Sequence, residues 1–342
     1  MFDRDRGPRL CFDIGGANLK SYHTVKGASC VGFPMWIHPQ SLAAKIQSMA
    51  SNMPACPTWG ITMTGEMADV FASRAEGVRA IVEQVAIAAS RLSIPNVRYY
   101  GTAGRFMNAE QAMGSPELVA SANWHALANW VSSWIERPSL LVDVGSTTAD
   151  LIPVSPGRVD TPSRTDHDRL RRGELVYLGI GRTPVCAIVD ALPFLGNFIP
   201  VMRERFACTD DCALLLGWIP EDANDLTTCD SRPRTIAASV NRIARMIGLD
   251  NGQVSIAQAT GMAEHVMGSA TALIARAGEQ HQRHAHAQWV LSGHATRLIR
   301  RPPAISVIDL AEKLGSQESR VGPAFALCKL IEHEQTEASA QR

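Results

Sequence analysis

Residues 12–20 read Phe-Asp-Ile-Gly-Gly-Ala-Asn-Leu-Lys, and residues 142–150 read Val-Asp-Val-Gly-Ser-Thr-Thr-Ala-Asp. Each stretch is the end of an apolar strand carrying Asp, an apolar residue, Gly, a small polar turn and the start of a second strand. A single Asp-x-Gly turn is ordinary turn chemistry. Its recurrence with a strand on either side predicts one supersecondary unit used twice, and hence a two-domain chain of class α/β.

The segments around the two hairpins fit that plan. Apolar, β-branched runs predict strands at 10–14, 19–25, 30–37, 59–63 and 97–101. Helical spacing appears at 41–49 and at 78–92, where Val78, Ile81, Val82, Val85, Ala89 and Leu92 form one stripe. A helix is predicted over 116–135, capped by Ser115 with Pro116 at its first position and ending before Arg137-Pro138. Within it Trp124, Trp130 and Trp134 read as packing residues. The second half is predicted to carry strands at 139–144, 174–180, 288–292 and 304–308, helices at 235–247 and 254–277, and a closing helix at 323–332. The domain boundary is expected at 136/137, giving domains of residues 1–136 and 137–342, with the C-terminal helix packing back towards the first.

Composition excludes several classes of function. The chain of 342 residues has 33 Lys+Arg against 33 Asp+Glu, so no net field attracts nucleic acid or an anionic membrane. Hydrophobic residues make up 46 % and charged residues 19 %, which suits a globular chain rather than a disordered one. No run approaches the roughly 18 uncharged apolar residues of a membrane helix, and MFDRDRGPRL lacks the apolar stretch of a signal peptide. A cytoplasmic protein acting on small molecules, with neither nucleic-acid nor membrane partner, is expected; a homodimer is left open. The eight cysteines read as reduced thiols, including Cys208, Cys212 and Cys229, whose first spacing is not that of a zinc ribbon. His281, His284 and His286 read as a solvated helix end.

The paired turns suggest a chemistry. Gly15, Gly16 and Gly145 let the backbone approach a phosphate, and the adjoining amides point at its oxygens. Ser146, Thr147 and Thr148 add hydroxyls on one side, Asn18 and Lys20 an amide and a cation on the other. Asp13 and Asp143 would hold Mg²⁺, partly through water, because a carboxylate meets phosphate only across a cation.

This arrangement resembles the acetate kinase, sugar kinase, heat-shock and actin superfamily, in which two ribonuclease-H-like domains with mixed sheets flanked by helices clamp a ligand between them. Across nearly the whole chain, DIGGANLK (13–20), TMTGEMADVFASRAEGV (62–78), LLVDVGSTTADLIPV (140–154), RRGELVYLGIGRTPV (171–185), ERFACTDDCALLLG (204–217) and AASVNRIARMIGLD (237–250) resemble the hydantoinase/oxoprolinase-related proteins linked to tetrahydromethanopterin-dependent one-carbon transfer. Archaeal relatives in that group are synthases of methanofuran biosynthesis. The resemblance implies a transferase that joins a furanylmethyl diphosphate to the amine of a γ-glutamyl-tyramine-like acceptor and releases diphosphate. In that reading Glu66 is the candidate base, Asp69 its orienting partner, and Thr64, Gly65 and Arg182 bind substrate. Gly293 would stand at the superfamily's adenosine turn, although His294 and Arg297 crowd that position, so ATP binding is left open and expected to be weak or absent. Arg74 with Glu76 reads as an exposed ion pair, and Arg242 with Arg245 as a solvated face. The rival readings are an ATP-dependent kinase or oxoprolinase-type amidohydrolase, and a non-catalytic actin-like ligand-binding protein.

Overall fold

A computed structural model describes residues 7–282, 288–301 and 305–340. In the first half, strands β1 (Arg9–Ile14), β2 (Asn18–His23) and β3 (Gly27–Gly32) form an antiparallel meander, and β4 (Thr58–Met63) and β5 (Asn96–Tyr100) run parallel to β1. A short β6 (Phe106–Met107) completes the order β3-β2-β1-β4-β5-β6. The second half repeats the scheme with β7 (Ser139–Val144), β8 (Ala149–Ser155) and β9 (Arg158–Val159) antiparallel, and β10 (Leu175–Val176) on the far edge of β8. A separate hairpin of β11 (Ala191–Phe194) and β12 (Asn197–Pro200) comes next, and then β13 (Gln288–Gly293) and β14 (Ser306–Asp309), which continue the sheet in parallel from β7. Both halves therefore place the repeated hairpin at the middle of a mixed sheet, as two ribonuclease-H-like units do.

Burial reflects this layering. β1, β4 and β13 are buried along their whole length, the pattern of strands covered by helices on both faces. Leu10, Phe12, Ile14 and Ile61 belong to the core of the first half, and Leu140, Val142, Val144 and Leu291 to that of the second. Two further clusters join the halves: Trp124 and Trp130 with Phe325, Leu141 and Val290, and Cys11 with Tyr100, Leu327 and Ile331. The closing helix Gly322–Ala340 supplies Phe325, Leu327 and Ile331, and packs on β1, β2 and β4 as well as on the helix Asn123–Ser132. Its 27-residue counterpart Ile256–Gln282 covers the second sheet. Among the described residues no helix is long and apolar enough to cross a membrane.

Several sequence expectations are corrected. The helix expected over 116–135 is broken into Pro116–Val119 and Asn123–Ser132, because Ser121 adopts φ 49° between them. Apolar periodicity cannot register one left-handed residue. The strand expected at 30–37 ends at Gly32; Phe33 and Met35 instead donate their amides to Ala17 and Gly16 of the first turn. The strand expected at 174–180 is only Leu175–Val176, and residues 178–182 form a loop wrapped on the second turn. Arg74 pairs at 3.0 Å with Asp166 of the second half rather than with Glu76. His281 is buried beside the Gly173 carbonyl, whereas His284 and His286 lie outside the described residues.

Arg242, expected on a solvated face, is fully buried. Its guanidinium contacts Asp211 at 2.6 Å and Asp230 at 3.0 Å. Removing one member of such a set strands the others without water, at a cost of about 3–5 kcal/mol. Arg242→Met is therefore expected to lower the urea-unfolding free energy by that amount, and a loss under about 1 kcal/mol would show the set to be dispensable.

Candidate functional site

The two hairpin turns are built alike. The Gly15 amide closes the first on the Asn18 carbonyl (3.0 Å), and the Gly145 amide closes the second on the Thr148 carbonyl (2.9 Å). Each turn is braced from behind by a loop. Phe33 and Met35 bond Ala17 and Gly16, both at 2.9 Å, while Ile180 and Gly181 bond Gly145 and Ser146 at 3.1 and 2.9 Å. The carbonyls of the turns are thus engaged, but the amides of Gly16, Ala17, Ser146 and Thr147 take no backbone acceptor among the described residues. Free donors in a fixed turn are the elements of an anion nest.

The turns border a cleft of about 790 Å³, a volume within the ordinary range of small-ligand sites. Of the sequence-predicted residues, Asp13, Gly15, Gly16, Asn18, Lys20, Thr64, Asp69, Asp143, Gly145, Ser146, Thr147, Thr148 and Arg182 all line it. Three do not. Gly65 is packed so closely behind the first turn that a side-chain carbon would stand 3.1 Å from the Gly15 carbonyl. Gly293, at φ +91°, lies against the second, where such a carbon would meet the Val144 carbonyl at 2.2 Å and the Asp143 carboxylate at 2.9 Å. Its role is close approach of β13 to β7. Glu66 is 1 % exposed and reaches the cleft wall only through Ser121, whose hydroxyl donates to it at 2.9 Å.

Sequence reading missed much of the polar floor. The register of β1 with β2 pairs Asp13 with Lys20, and that of β7 with β8 pairs Asp143 with Asp150, so Lys20 and Asp150 occupy equivalent places with opposite charge. Lys20 Nζ lies 3.7 Å from Asp13. Asp150 is bonded to Arg169, which also contacts Asp166 at 3.3 Å and stacks on Trp124. Ser121 lies 3.0 Å from Asp166 as well, so its hydroxyl stands between one carboxylate of each half. That position explains the break at φ 49°, a conformation that costs of order 1–3 kcal/mol where nothing compensates. The signal available beforehand was the correspondence of Asp150 with Lys20; nothing in the sequence pointed to Ser121.

Electrostatics sharpen the picture. Burial, then repulsion from Asp150, pushes Asp143 up to about 6 despite the opposing charge of Lys20. Burial also raises Asp13, against the pull of Lys20, and leaves its Oδ1 without a partner. Glu66 is raised to about 7 by burial. Above the turns the two bracing loops meet, with the Arg182 guanidinium 4.6 Å over the Trp36 ring. Arg205 and the half-exposed Tyr177 continue that wall.

The hydantoinase/oxoprolinase family profile matches residues 58–296, from β4 through the second hairpin to the end of β13.

The chain belongs to the hydantoinase/oxoprolinase family.

Two curated relatives of this family member are both named (4-{4-[2-(gamma-L-glutamylamino)ethyl]phenoxymethyl}furan-2-yl)methanamine synthase. The protein from Methanocaldococcus jannaschii is 29 % identical over 94 % of this chain and 97 % of its own length. That from Methanococcus vannielii is 27 % identical over 60 % of this chain and 96 % of its own. Among solved structures, nucleotide-free acetone carboxylase superposes with a TM-score of 0.52 at 10 % identity, covering 94 % of this chain and 70 % of the other, a likeness of fold alone. That likeness agrees with the fold expected from the paired hairpins, two α/β units with mixed sheets flanked by helices.

Proposed function

We propose that this hydantoinase/oxoprolinase-family protein is a synthase of methanofuran or a related carrier. It would join an aminomethyl-furanylmethyl diphosphate to the phenol oxygen of a γ-glutamyl-tyramine-like acceptor, with release of diphosphate; the phenoxymethyl group in the relatives' name is an aryl ether, which replaces the amine linkage expected from the sequence. The observation that carries the reading is the pair of equivalent turns with unengaged amides facing one cleft, in a chain whose relatives are named for the furanylmethanamine product. Leaving-group stabilisation is the main catalytic term. The amides of Gly16, Ala17, Ser146 and Thr147, the hydroxyls of Ser146, Thr147 and Thr148, and the Lys20 ammonium hold the diphosphate as the carbon–oxygen bond breaks. The furan ring stabilises positive charge on its methylene until the phenol oxygen attacks.

The acceptor phenol must lose its proton. Ser121, beside Asp166 on the cleft wall, would accept the phenol's hydrogen bond, and Glu66 behind Ser121 has the raised affinity for protons suited to receiving one through that hydroxyl. Asp69, which also lines the cleft, would meet the ammonium of the acceptor's glutamyl group. Arg182 and Arg205 would meet the acceptor's carboxylate.

A divalent cation fits Asp13 and Asp143. The orphaned Asp13 Oδ1 and the raised proton affinity of both groups mark a pair of carboxylates short of positive charge. Among the described residues no cluster of three or more His, Cys, Asp or Glu could hold a metal unaided, so the remaining ligands would be water and diphosphate oxygen. Mg²⁺ there would neutralise the departing diphosphate.

The decisive experiment incubates the purified protein with an aminomethyl-furanylmethyl diphosphate and γ-glutamyl-tyramine and measures diphosphate release. Product formation without ATP is expected. Product that forms only with ATP would replace this reading by the kinase or amidohydrolase one.

A further inference from the structure

Cys208 and Cys229 stand apart from the other thiols. Their sulfurs are 3.2 Å apart, although the residues are separated by a helix and a loop. Cys208 is buried at the head of the helix Thr209–Leu215, while Cys229 is partly exposed in the irregular segment beyond it. One buried guanidinium sets the pair. Arg242 binds Asp211, which accepts the Cys208 amide at 2.9 Å, and also Asp230, the residue after Cys229. Arg205, which lines the cleft, supports negative charge on Cys208; the hydrogen bond to Cys229, with that support, brings the first ionisation of the pair down to about 7. The contrast is Cys11 with Cys328, whose sulfurs lie 2.8 Å apart but are fully buried, where burial raises Cys11 well above the ordinary thiol range. Among the described residues no third ligand makes Cys208 and Cys229 a metal site.

We propose that Cys208 and Cys229 form a redox-active dithiol that hydrogen peroxide converts to an intramolecular disulfide, altering the charge beside the cleft. The Cys208 thiolate, favoured by Arg205, attacks the oxidant, while the partly exposed Cys229 retains the proton of the pair. The sulfur–oxygen bond forms as the oxygen–oxygen bond breaks, and hydroxide leaves as water after taking a proton. The Cys229 sulfur then attacks the Cys208 sulfenic sulfur, the sulfur–oxygen bond breaks, and a second water departs with the thiol proton. Two thiols are oxidised by two electrons and one peroxide is reduced to two waters. The sulfurs must close from 3.2 Å to about 2.05 Å, a shift available to an irregular segment. Oxidation removes the thiolate that holds Arg205, so the cationic wall of the cleft loses its anchor.

The test uses the reduced full-length protein treated with peroxide, quenched in acid, alkylated after unfolding and digested with trypsin. Cleavage after Arg205 and none before Pro233 leaves Cys208, Cys212 and Cys229 in one peptide. The expected product has lost two hydrogens and carries a single alkyl group, on Cys212, and dithiothreitol reverses it. Its rate of formation should rise with pH about a midpoint near 7, below the ordinary thiol value of about 8.5. Cys229→Ser, at a site exposed enough to tolerate it, should fold normally by thermal unfolding and form no disulfide. Three alkylated cysteines at peroxide doses that oxidise free glutathione, or a bond between Cys208 and Cys212, would overturn the proposal.

Discussion

Asp143→Asn is expected to lower diphosphate release by roughly 10²–10³-fold, the scale on which removal of one charge-stabilising group acts, while leaving the protein at least as stable as before. The two halves of this expectation have one cause. In the folded chain Asp143 is raised to about 6 by burial and by Asp150, whereas the unfolded chain holds an ordinary carboxyl near 3.9. The folded state therefore binds more protons, and its advantage is full below about pH 4 and lost as pH rises through 6. At pH 7.5 ionised Asp143 costs the free protein up to about 3 kcal/mol, by the scale of about 1.36 kcal/mol per pKa unit. The neutral amide removes that cost. Urea unfolding at pH 7.5 should show an unchanged or higher midpoint for the variant, and below pH 4 the two proteins should converge. A divalent cation competes with the same proton, so Mg²⁺ affinity measured by calorimetry should tighten as pH rises through 6 and vanish in Asp143→Asn. A variant that keeps its turnover, or loses it only by unfolding, would remove Asp143 from the chemistry.

What the sequence made legible depends on range. The hairpins could be read because Asp13 to Lys20 and Asp143 to Asp150 are each contiguous, with the alternation and turn residues of one local unit. The residues expected to bind phosphate lie almost all in those two stretches, and they line the cleft. The opposite wall could not be read in the same way. Glu66, Ser121 and Asp166 come from three separate segments, and their meeting depends on a left-handed residue and on the packing of one half against the other. Arg242 escapes a local reading for a related reason. On a helix two arginines three apart look like a wet face, and only the tertiary partners Asp211 and Asp230 make one of them an interior group. The run 174–180 has strand composition, yet the amides at its end are taken by the second turn, which outcompetes the sheet edge for them.

That loop also carries the second large effect. Gly179→Ala is expected to lower turnover by about 10²-fold and stability by about 1–3 kcal/mol, although Gly179 bears no functional group. A β-carbon there would stand 2.4 Å from the Thr147 amide nitrogen, 2.5 Å from the Ser146 carbonyl carbon and 2.6 Å from the Gly145 oxygen. All three are backbone, so no rotamer relieves the contact. Either the loop lifts, stretching Ile180 to Gly145 and Gly181 to Ser146, or the turn moves and carries its free amides away from the diphosphate. Displacements on the scale of 1 Å are enough for the expected loss of rate. Gly16→Ala separates this effect from a general intolerance of the turns, because a carbon at that glycine meets nothing within 4 Å. It should fold with an unchanged midpoint yet bind diphosphate more weakly, the added methyl occupying space that only ligand fills. Crystals or amide-exchange data for Gly179→Ala should show change confined to residues 145–148 and the loop behind them. Full activity in both variants would mean that the turns do not hold the reacting group, whatever their likeness to each other.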